Sequence, residues 1–260
     1  MTWSSPGSAN LWNKVPEVLL SFWIIKIMAT TVGETAADFL NTSLDLGLTA
    51  TSGIMWSLLL ISLFFQILSK KYTPWLYWVT VVFMSIFGTL FTDNLIDNFG
   101  ISLETTTIIF STILVIIFGI WYAREKTLSI HTIITRKREI FYWIAILFTF
   151  ALGTAAWDLF AEWLSLGYLT SALIFAGVIA LIAGAYYVLR VNAILCFWLA
   201  YILTRPLGAS FWDYLSQPIE NGWLWLGTTS TSILFLTIIA ILIGYMTLQK
   251  SKIPEYREIS

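Results

Sequence analysis

The chain has 260 residues, of which 58% are hydrophobic and only 11% are charged, and its mean hydropathy is +0.81. A soluble domain carries about a quarter charged residues, so this composition excludes an ordinary soluble protein and predicts the lipid bilayer as the main partner, with no nucleic acid. The formal net charge of -1 says little, because the placement of the charges matters more than their sum. The single cysteine, Cys196, excludes an intrachain disulfide and a Cys-rich metal site.

Apolar runs of about 20 residues, the length that an α-helix needs to cross a bilayer, recur along the whole chain. The N-terminus lacks the basic region and small-residue cleavage site of a signal peptide, so we expect the first run to be retained as a helix. The predicted spans, in chain order, are 17–41, 48–68, 75–96, 101–123, 140–163, 168–189, 193–215 and 226–248. The sequence therefore predicts an all-α integral membrane protein with eight transmembrane helices.

One pattern occurs at the same place in every odd-numbered span: an aromatic residue, Trp, nine residues, Gly, four residues and Asp. The clearest copies read "YWIAILFTFALGTAAWDLF" and "FWLAYILTRPLGASFWDYL". The tryptophans are Trp23, Trp78, Trp143 and Trp198, the glycines are Gly33, Gly88, Gly153 and Gly208, and the aspartates are Asp38, Asp93, Asp158 and Asp213.

The copies are spaced by 55, 65 and 55 residues. This spacing indicates that a helical hairpin was duplicated and that the resulting pair was then duplicated again. The predicted repeats are 17–68, 75–123, 140–189 and 193–248, within a single membrane domain that covers residues 1–260. Because each repeat holds two helices, the odd helices all run in one direction, and the four repeats are parallel around a common axis along the membrane normal.

The placement of the bases predicts the orientation of the chain. Of the 14 Lys and Arg residues, twelve lie in the N-terminal tail, the loops between repeats or the C-terminal tail, and none lies in the turns that follow the four aspartates. By the positive-inside rule, both termini are expected in the cytoplasm, for a multi-pass protein of the bacterial inner membrane. The repeat tryptophans would then lie at the cytoplasmic boundary, as an aromatic belt.

The four repeat aspartates are the main candidates for chemistry. At 1.5 Å per residue each lies about 22 Å beyond its Trp, so all four are expected at one level in the outer half of the bilayer. Glu34 precedes Asp38 by four residues and shares its helix face. Acids inside membrane helices mark ion or proton pathways, and oxygen ligands suit hard cations such as Mg²⁺, Mn²⁺ and Ca²⁺. The alternative is structural: each Asp caps the next helix or satisfies turn amides.

Two bases lie inside the predicted helices, Lys26 and Arg205. They are expected either as counter-ions for acids on neighbouring helices or as residues that tune a cation site by competing for it. The four repeat glycines are predicted to let helices approach closely, and Thr89 and Thr154, which follow two of them, are expected to hydrogen-bond across the interface. Pro206 is expected to kink the seventh helix and to free a carbonyl beside Arg205.

The leading hypothesis is a transporter or channel for a small cation, with a divalent metal such as Mn²⁺ or Mg²⁺ favoured and proton coupling included. Asp38, Asp93, Asp158, Asp213 and Glu34 would bind the cation, which would be the only bound cofactor. The chain holds no Ser-His-Asp set, phosphate-binding loop, HExxH or CxxC, which favours a protein that is not an enzyme. An intramembrane enzyme for a lipid-linked substrate and a non-transporting scaffold stay open as alternatives, and an oligomer is compatible with all three.

Over residues 14 to 248 the chain resembles a bacterial membrane-protein family built from four tandem repeats of unknown function, often labelled "uncharacterised membrane-anchored protein". The stretches that carry the resemblance are "KVPEVLLSFWIIKIMATTVGETAADFL", "REIFYWIAILFTFALGTAAWD" and "ILTRPLGASFWDYL". The resemblance implies two transmembrane segments and a characteristic Trp in each repeat. It implies no particular activity.

Overall fold

The computed structural model of the protein describes residues 13–43, 46–164, 168–216 and 228–252, and every regular element within these ranges is helical. The long helices are α1 (Leu20–Asp38), α2 (Leu48–Leu68), α3 (Pro74–Asp93), α4 (Leu103–Glu125), α5 (Arg136–Leu164), α6 (Tyr168–Tyr187), α7 (Ala193–Ser216) and α8 (Thr228–Lys252). Their number in the described ranges equals the number of predicted spans. Short π-helical turns, Phe39–Ser43 and Asn94–Asn98, follow α1 and α3, and a 3₁₀ turn, Ile130–Thr132, precedes α5.

Seven helices within the described ranges, α2 to α8, are long and apolar enough to cross a membrane. This is the architecture of a multi-pass membrane protein. Helix α1 is outside that set. It carries Lys26, Glu34 and Asp38 within 19 residues, and these charged side chains lower its mean hydropathy.

The odd helices form a closed ring in which α1 and α5 each pack against both α3 and α7. The even helices lie outside this ring, each against the odd helix that follows it: α2 on α3, α4 on α5 and α6 on α7, while α8 packs on α1. In the apolar segments of α3, α5 and α7, 50%, 61% and 67% of the residues are buried. The corresponding values for α2, α4, α6 and α8 are 22%, 17%, 17% and 11%. The core of the protein is therefore made by the odd helices.

The same glycine contact recurs at every step around the ring. A Cβ on each repeat glycine would come closer than 3.0 Å to the residue that lies three positions before the glycine of the next repeat. The pairs are Gly33 with Ser85, Gly88 with Phe150, Gly153 with Arg205 and Gly208 with Thr30. Glycines of the even helices, such as Gly53 and Gly184, have nothing within 4 Å of such a Cβ. Equivalent positions of successive repeats thus meet, and the fourth repeat closes on the first.

The aromatic–Trp pairs form a layer at one end of the ring, here called the aromatic end. Each Trp packs against the aromatic residue of the preceding repeat. The ring-centre distances are 5.5 Å for Phe22–Trp78, 5.4 Å for Tyr77–Trp143, 6.2 Å for Tyr142–Trp198 and 5.7 Å for Phe197–Trp23. Trp78, Trp143 and Trp198 are at most 4% exposed. The predicted aromatic belt is therefore wrong for these three residues, because their indoles pack inside the bundle, whereas Trp23 is half-buried.

Tyr77 and Tyr142 join two of these pairs, since their buried hydroxyl groups form a hydrogen bond to each other. We expect Tyr77→Phe to lower the free energy of unfolding by about 1 kcal/mol, the usual net value of one buried hydrogen bond. Thermal unfolding in detergent would measure this, with the exposed Tyr122→Phe as the control. Equal unfolding midpoints for the two variants would contradict the prediction.

The aromatic end is covered by two polypeptide segments, 13–19 and 126–135. Val15, Val18, Ile130 and Ile133 are buried against the aromatic layer. The backbone N–H of Lys14 donates to the carbonyl of Ile133 at 3.0 Å. The covered end therefore has a packed apolar lid.

A buried ion pair fastens this lid to the bundle. The Nζ of Lys14 lies 2.6 Å from Oε2 of Glu139 and donates to the carbonyl of Ile67 at 3.1 Å. The half-buried His131 also belongs to the lid; burial lowers the pKa of His131, and the charge of Glu17 opposes this shift. The lid therefore holds both a buried ion pair and a half-buried imidazole.

Candidate functional site

Arg205 lies at the centre of the ring and is only 1% exposed. Its stem occupies the space left by Gly153 of α5. Its guanidinium donates to the carbonyl oxygen of Thr30 at 2.6 Å, to Oε1 of Glu34 at 2.5 Å and to Oγ1 of Thr154 at 2.9 Å. It also donates to the hydroxyl of Thr89. All four odd helices therefore contribute to one site.

We call the four acceptors around this guanidinium the Arg205 cradle: the Thr30 carbonyl, Glu34, Thr89 and Thr154. The last three occupy the same place in their repeats, directly after Gly33, Gly88 and Gly153. The fourth repeat has Ala209 at this place and supplies the arginine instead. The cradle is thus built from one repeat position, with a carboxylate in the first repeat and hydroxyls in the next two.

The two threonine hydroxyls are oriented as acceptors toward the guanidinium. The hydroxyl of Thr89 donates its own proton to the carbonyl of Ser85, and that of Thr154 donates to the carbonyl of Phe150, both at 3.2 Å. Since a hydroxyl has one proton and two lone pairs, the lone pairs are left for Arg205. Together with the carboxylate and the carbonyl, they give a pocket of acceptors that suits a cation.

The predicted aspartates lie toward the opposite end of the odd helices, here called the acidic end. Asp38 is exposed, whereas Asp93, Asp158 and Asp213 are half-buried. The carboxylate of Asp93 is close enough to those of Glu34, Asp38 and Asp158 to interact with them electrostatically. Asp213 lies two turns beyond Arg205 in α7.

The capping alternative fails for the first two repeats. The residue before α2 is Gly47, which supplies no side-chain cap, and α4 is capped by Ser102, whose hydroxyl accepts the N–H of Thr105. Asp38 and Asp93 instead end their own helices, each directly before a π-helical turn. Such turns occur frequently at functional sites. The turns after Asp158 and Asp213 include residues outside the described ranges.

Within the described residues, no three His, Cys, Asp or Glu side chains form a group that could hold a metal ion. The predicted metal ligands Asp38, Asp93, Asp158 and Asp213 are therefore not assembled as a metal centre in this structure. In α1, α3 and α5 the aspartate lies four residues beyond the position that lines the Arg205 cradle, toward the acidic end.

Lys26 is the second base inside the ring and is 1% exposed. Its Nζ lies 3.8 Å from the ring centre of Phe150 and 4.3 Å from that of Tyr201. Lys26 makes no ion pair with any acid in the described part of the chain. Its amino group therefore lies over two aromatic rings, in the geometry of a cation–π contact.

Of the predicted site residues, the structure brings Glu34 and Arg205 together and leaves Lys26 among aromatic rings. It places Asp38 and Asp93 near Glu34, and Asp158 near Asp93. Our sequence reasoning noted Thr89 and Thr154 only as interface hydrogen bonders and missed the Thr30 carbonyl. The signal was present, because Glu34, Thr89 and Thr154 all follow a repeat glycine. A column-by-column comparison of the repeats would have grouped them.

Comparison with known proteins bears on the repeats. The family model of the Repeat of Unknown Function (DUF347) matches the chain four times, over residues 21–72, 76–127, 141–192 and 196–252. Neither the curated proteins nor the solved structures include a match. Each repeat match begins one residue before an aromatic–Trp pair, so the predicted tandem repeat is confirmed. The chain therefore belongs to the DUF347 repeat family.

Proposed function

We propose that the protein is a transporter for a small cation, with eight membrane spans and the four odd helices parallel around a common axis. Helix α1 is the eighth span. It packs against α3, α7 and α8, and Glu34 has its partner, Arg205, within the ring. In this proposal both termini and the aromatic end face the cytoplasm of a bacterium, and the acidic end faces outward.

The observation that carries the proposal is the buried ion pair between Glu34 and Arg205 on the bundle axis, 2.5 Å long, with the repeat aspartates on one side of it. A buried acid–base pair contributes little net stability compared with apolar packing, so its presence calls for another role. A cation that arrives from the acidic end competes with Arg205 for Glu34. The guanidinium then acts as the resident counter-ion that the cation displaces.

The aspartates supply the attraction that such competition needs. A region of several carboxylates with low-dielectric walls raises the local concentration of cations. Asp38, Asp93 and Asp158 form this region, in which Asp93 lies near both Glu34 and Asp158. Oxygen ligands favour Mn²⁺ or Mg²⁺ among the divalent ions, and protonation of a released carboxylate would couple transport to a proton gradient.

Transport by purified protein in proteoliposomes tests this function. We expect entry of Mn²⁺ or Mg²⁺, followed with a trapped fluorescent indicator, and at least a tenfold slower rate for Asp93→Asn. The matched control is Glu104→Gln, which changes an exposed acid in the first turn of α4 and should transport normally. An imposed pH gradient tests the proton coupling. No flux above protein-free liposomes, or equal rates for the two variants, would overturn the proposal.

A further inference from the structure

We propose that the Arg205 cradle is a binding site for a singly charged nitrogen cation of the guanidinium or ammonium class, and that Arg205 occupies it as a tethered ligand. This inference rests on the proposed cation transport, and at the Glu34–Arg205 pair it replaces the divalent metal with a nitrogen cation as the ion that competes for Glu34. Its chemistry can be tested without any transport measurement.

The composition of the cradle points to a single positive charge. It offers one carboxylate, Glu34, and three neutral acceptors: two hydroxyls and one backbone carbonyl. Its charge of −1 balances one positive charge. Mg²⁺ demands octahedral oxygen coordination and Ca²⁺ takes six to eight oxygen ligands. In this structure the acceptors receive the N–H groups of the Arg205 guanidinium, and a free guanidinium or ammonium ion carries the same kind of donor.

The repeat pattern shows that the cradle and the arginine that fills it come from different repeat positions. Three of the acceptors belong to a position shared by the first three repeats, whereas the arginine is present in only one repeat. The positions equivalent to Arg205 are Thr30, Ser85 and Phe150. Each of these packs against a repeat glycine as Arg205 does, so the ring contact forms without any base. The contact with the glycine therefore does not require the guanidinium. The guanidinium extends beyond that contact into a site lined by the other three repeats.

Helix α7 has a feature that lets Arg205 leave the cradle. Pro206 follows Arg205 inside α7 and has no N–H to donate to the carbonyl of Ile202. Helices bend at such points. A bend at Pro206 would withdraw the guanidinium and leave Glu34, Thr89 and Thr154 facing a vacated space.

Chemical rescue tests the site directly. Arg205→Ala removes the tethered ligand, and we expect a lower unfolding midpoint in detergent. Millimolar guanidinium chloride should restore at least half of the lost midpoint, with saturation, and methylguanidinium and ammonium chloride should give smaller restorations. Sodium chloride at the same ionic strength is the salt control. The wild-type protein, whose cradle is filled, should show no saturable gain.

A second variant shows whether Glu34 holds the added cation. Arg205→Ala combined with Glu34→Gln should lose the rescue, because the carboxylate that recognises the cation is gone. If Arg205→Ala does not fold alone, purification of Arg205→Ser with guanidinium present replaces it, and the yield of folded monodisperse protein becomes the measurement. Failure of guanidinium to raise that yield would overturn the proposal.

The remaining outcomes are also decisive. Stabilisation of Arg205→Ala by MnCl₂ or MgCl₂ but not by guanidinium would identify a metal site and overturn the inference. Absence of any saturable stabilisation would show that Arg205 is purely structural and would overturn it as well. Rescue by guanidinium in a protein that transports neither Mn²⁺ nor Mg²⁺ would support the cradle while refuting divalent-metal transport. The two proposals can therefore fail separately.

Discussion

Glu34→Gln should lower the free energy of unfolding by about 3–5 kcal/mol, the cost of removing one partner of a buried ion pair. The substitution leaves Arg205, which is 1% exposed, with no carboxylate within the cradle. Arginine does not release its proton in proteins, so the uncompensated charge stays buried. Equilibrium unfolding in a mild detergent, followed by tryptophan fluorescence, would measure the loss.

The reverse substitution should cost less, and this asymmetry is the sharper test. Arg205→Met leaves Glu34, whose side chain is 12% exposed and is therefore less deeply buried than that of Arg205, which is 1% exposed. The double variant Glu34→Gln/Arg205→Met should be more stable than Glu34→Gln alone, because no charge is left unpaired. Glu17→Gln, at an exposed position, serves as the control. Additive losses in the double variant would show that the two residues are not energetically coupled.

Gly208→Ala should destabilise the protein by about 1–3 kcal/mol, the usual cost of overpacking a well-packed core. The added Cβ would come closer than 3.0 Å to the side chain of Thr30 and would lie 3.1 Å from the carbonyl oxygen of Ile27. Relief of this contact would push α7 away from α1, which is where the fourth repeat closes on the first. Thermal unfolding midpoints in detergent would report the effect.

The matched control for this substitution lies in an even helix. Gly184→Ala in α6 adds the same methyl group where nothing lies within 4 Å, so it should leave the unfolding midpoint unchanged or slightly raised. Gly33→Ala, which meets Ser85 at the equivalent contact between α1 and α3, should behave like Gly208→Ala. Equal midpoints for Gly208→Ala and Gly184→Ala would show that the ring does not depend on these close approaches.

The family membership and the number of long helices could be predicted from the sequence because both depend on local properties. A run of about 20 apolar residues is required for each span by the thickness of the bilayer, whatever its neighbours are. The spacing of Trp78, Gly88 and Asp93 within one helix likewise repeats in the other copies without knowledge of the fold. The same reasoning overlooked that α1 is less apolar than the rest, since its charges are satisfied by residues far away in the chain.

The direction in which a side chain points could not be predicted so well. The position of the repeat tryptophans at one end of each odd helix was foreseen, but the side of the helix that they face was not. An indole near a helix end fits the lipid interface as well as it fits a core, and the choice depends on the rotation of each helix about its own axis. In the structure, Trp143 packs against Tyr77 of the preceding repeat, and this contact shows that the indole faces the core.

By itself the sequence determined four repeats, their helical hairpins and a set of intramembrane acids and bases, because hydropathy and spacing are read along one helix at a time. Only the tertiary structure decided which base meets which acid. Arg205 pairs with Glu34 across 171 positions of sequence, while Lys26, on the same helix as Glu34, lies against Phe150 and Tyr201. The physical reason is ring closure: α7 reaches α1 only when all four odd helices pack together through their glycines, and that packing fixes the neighbours of every buried charge.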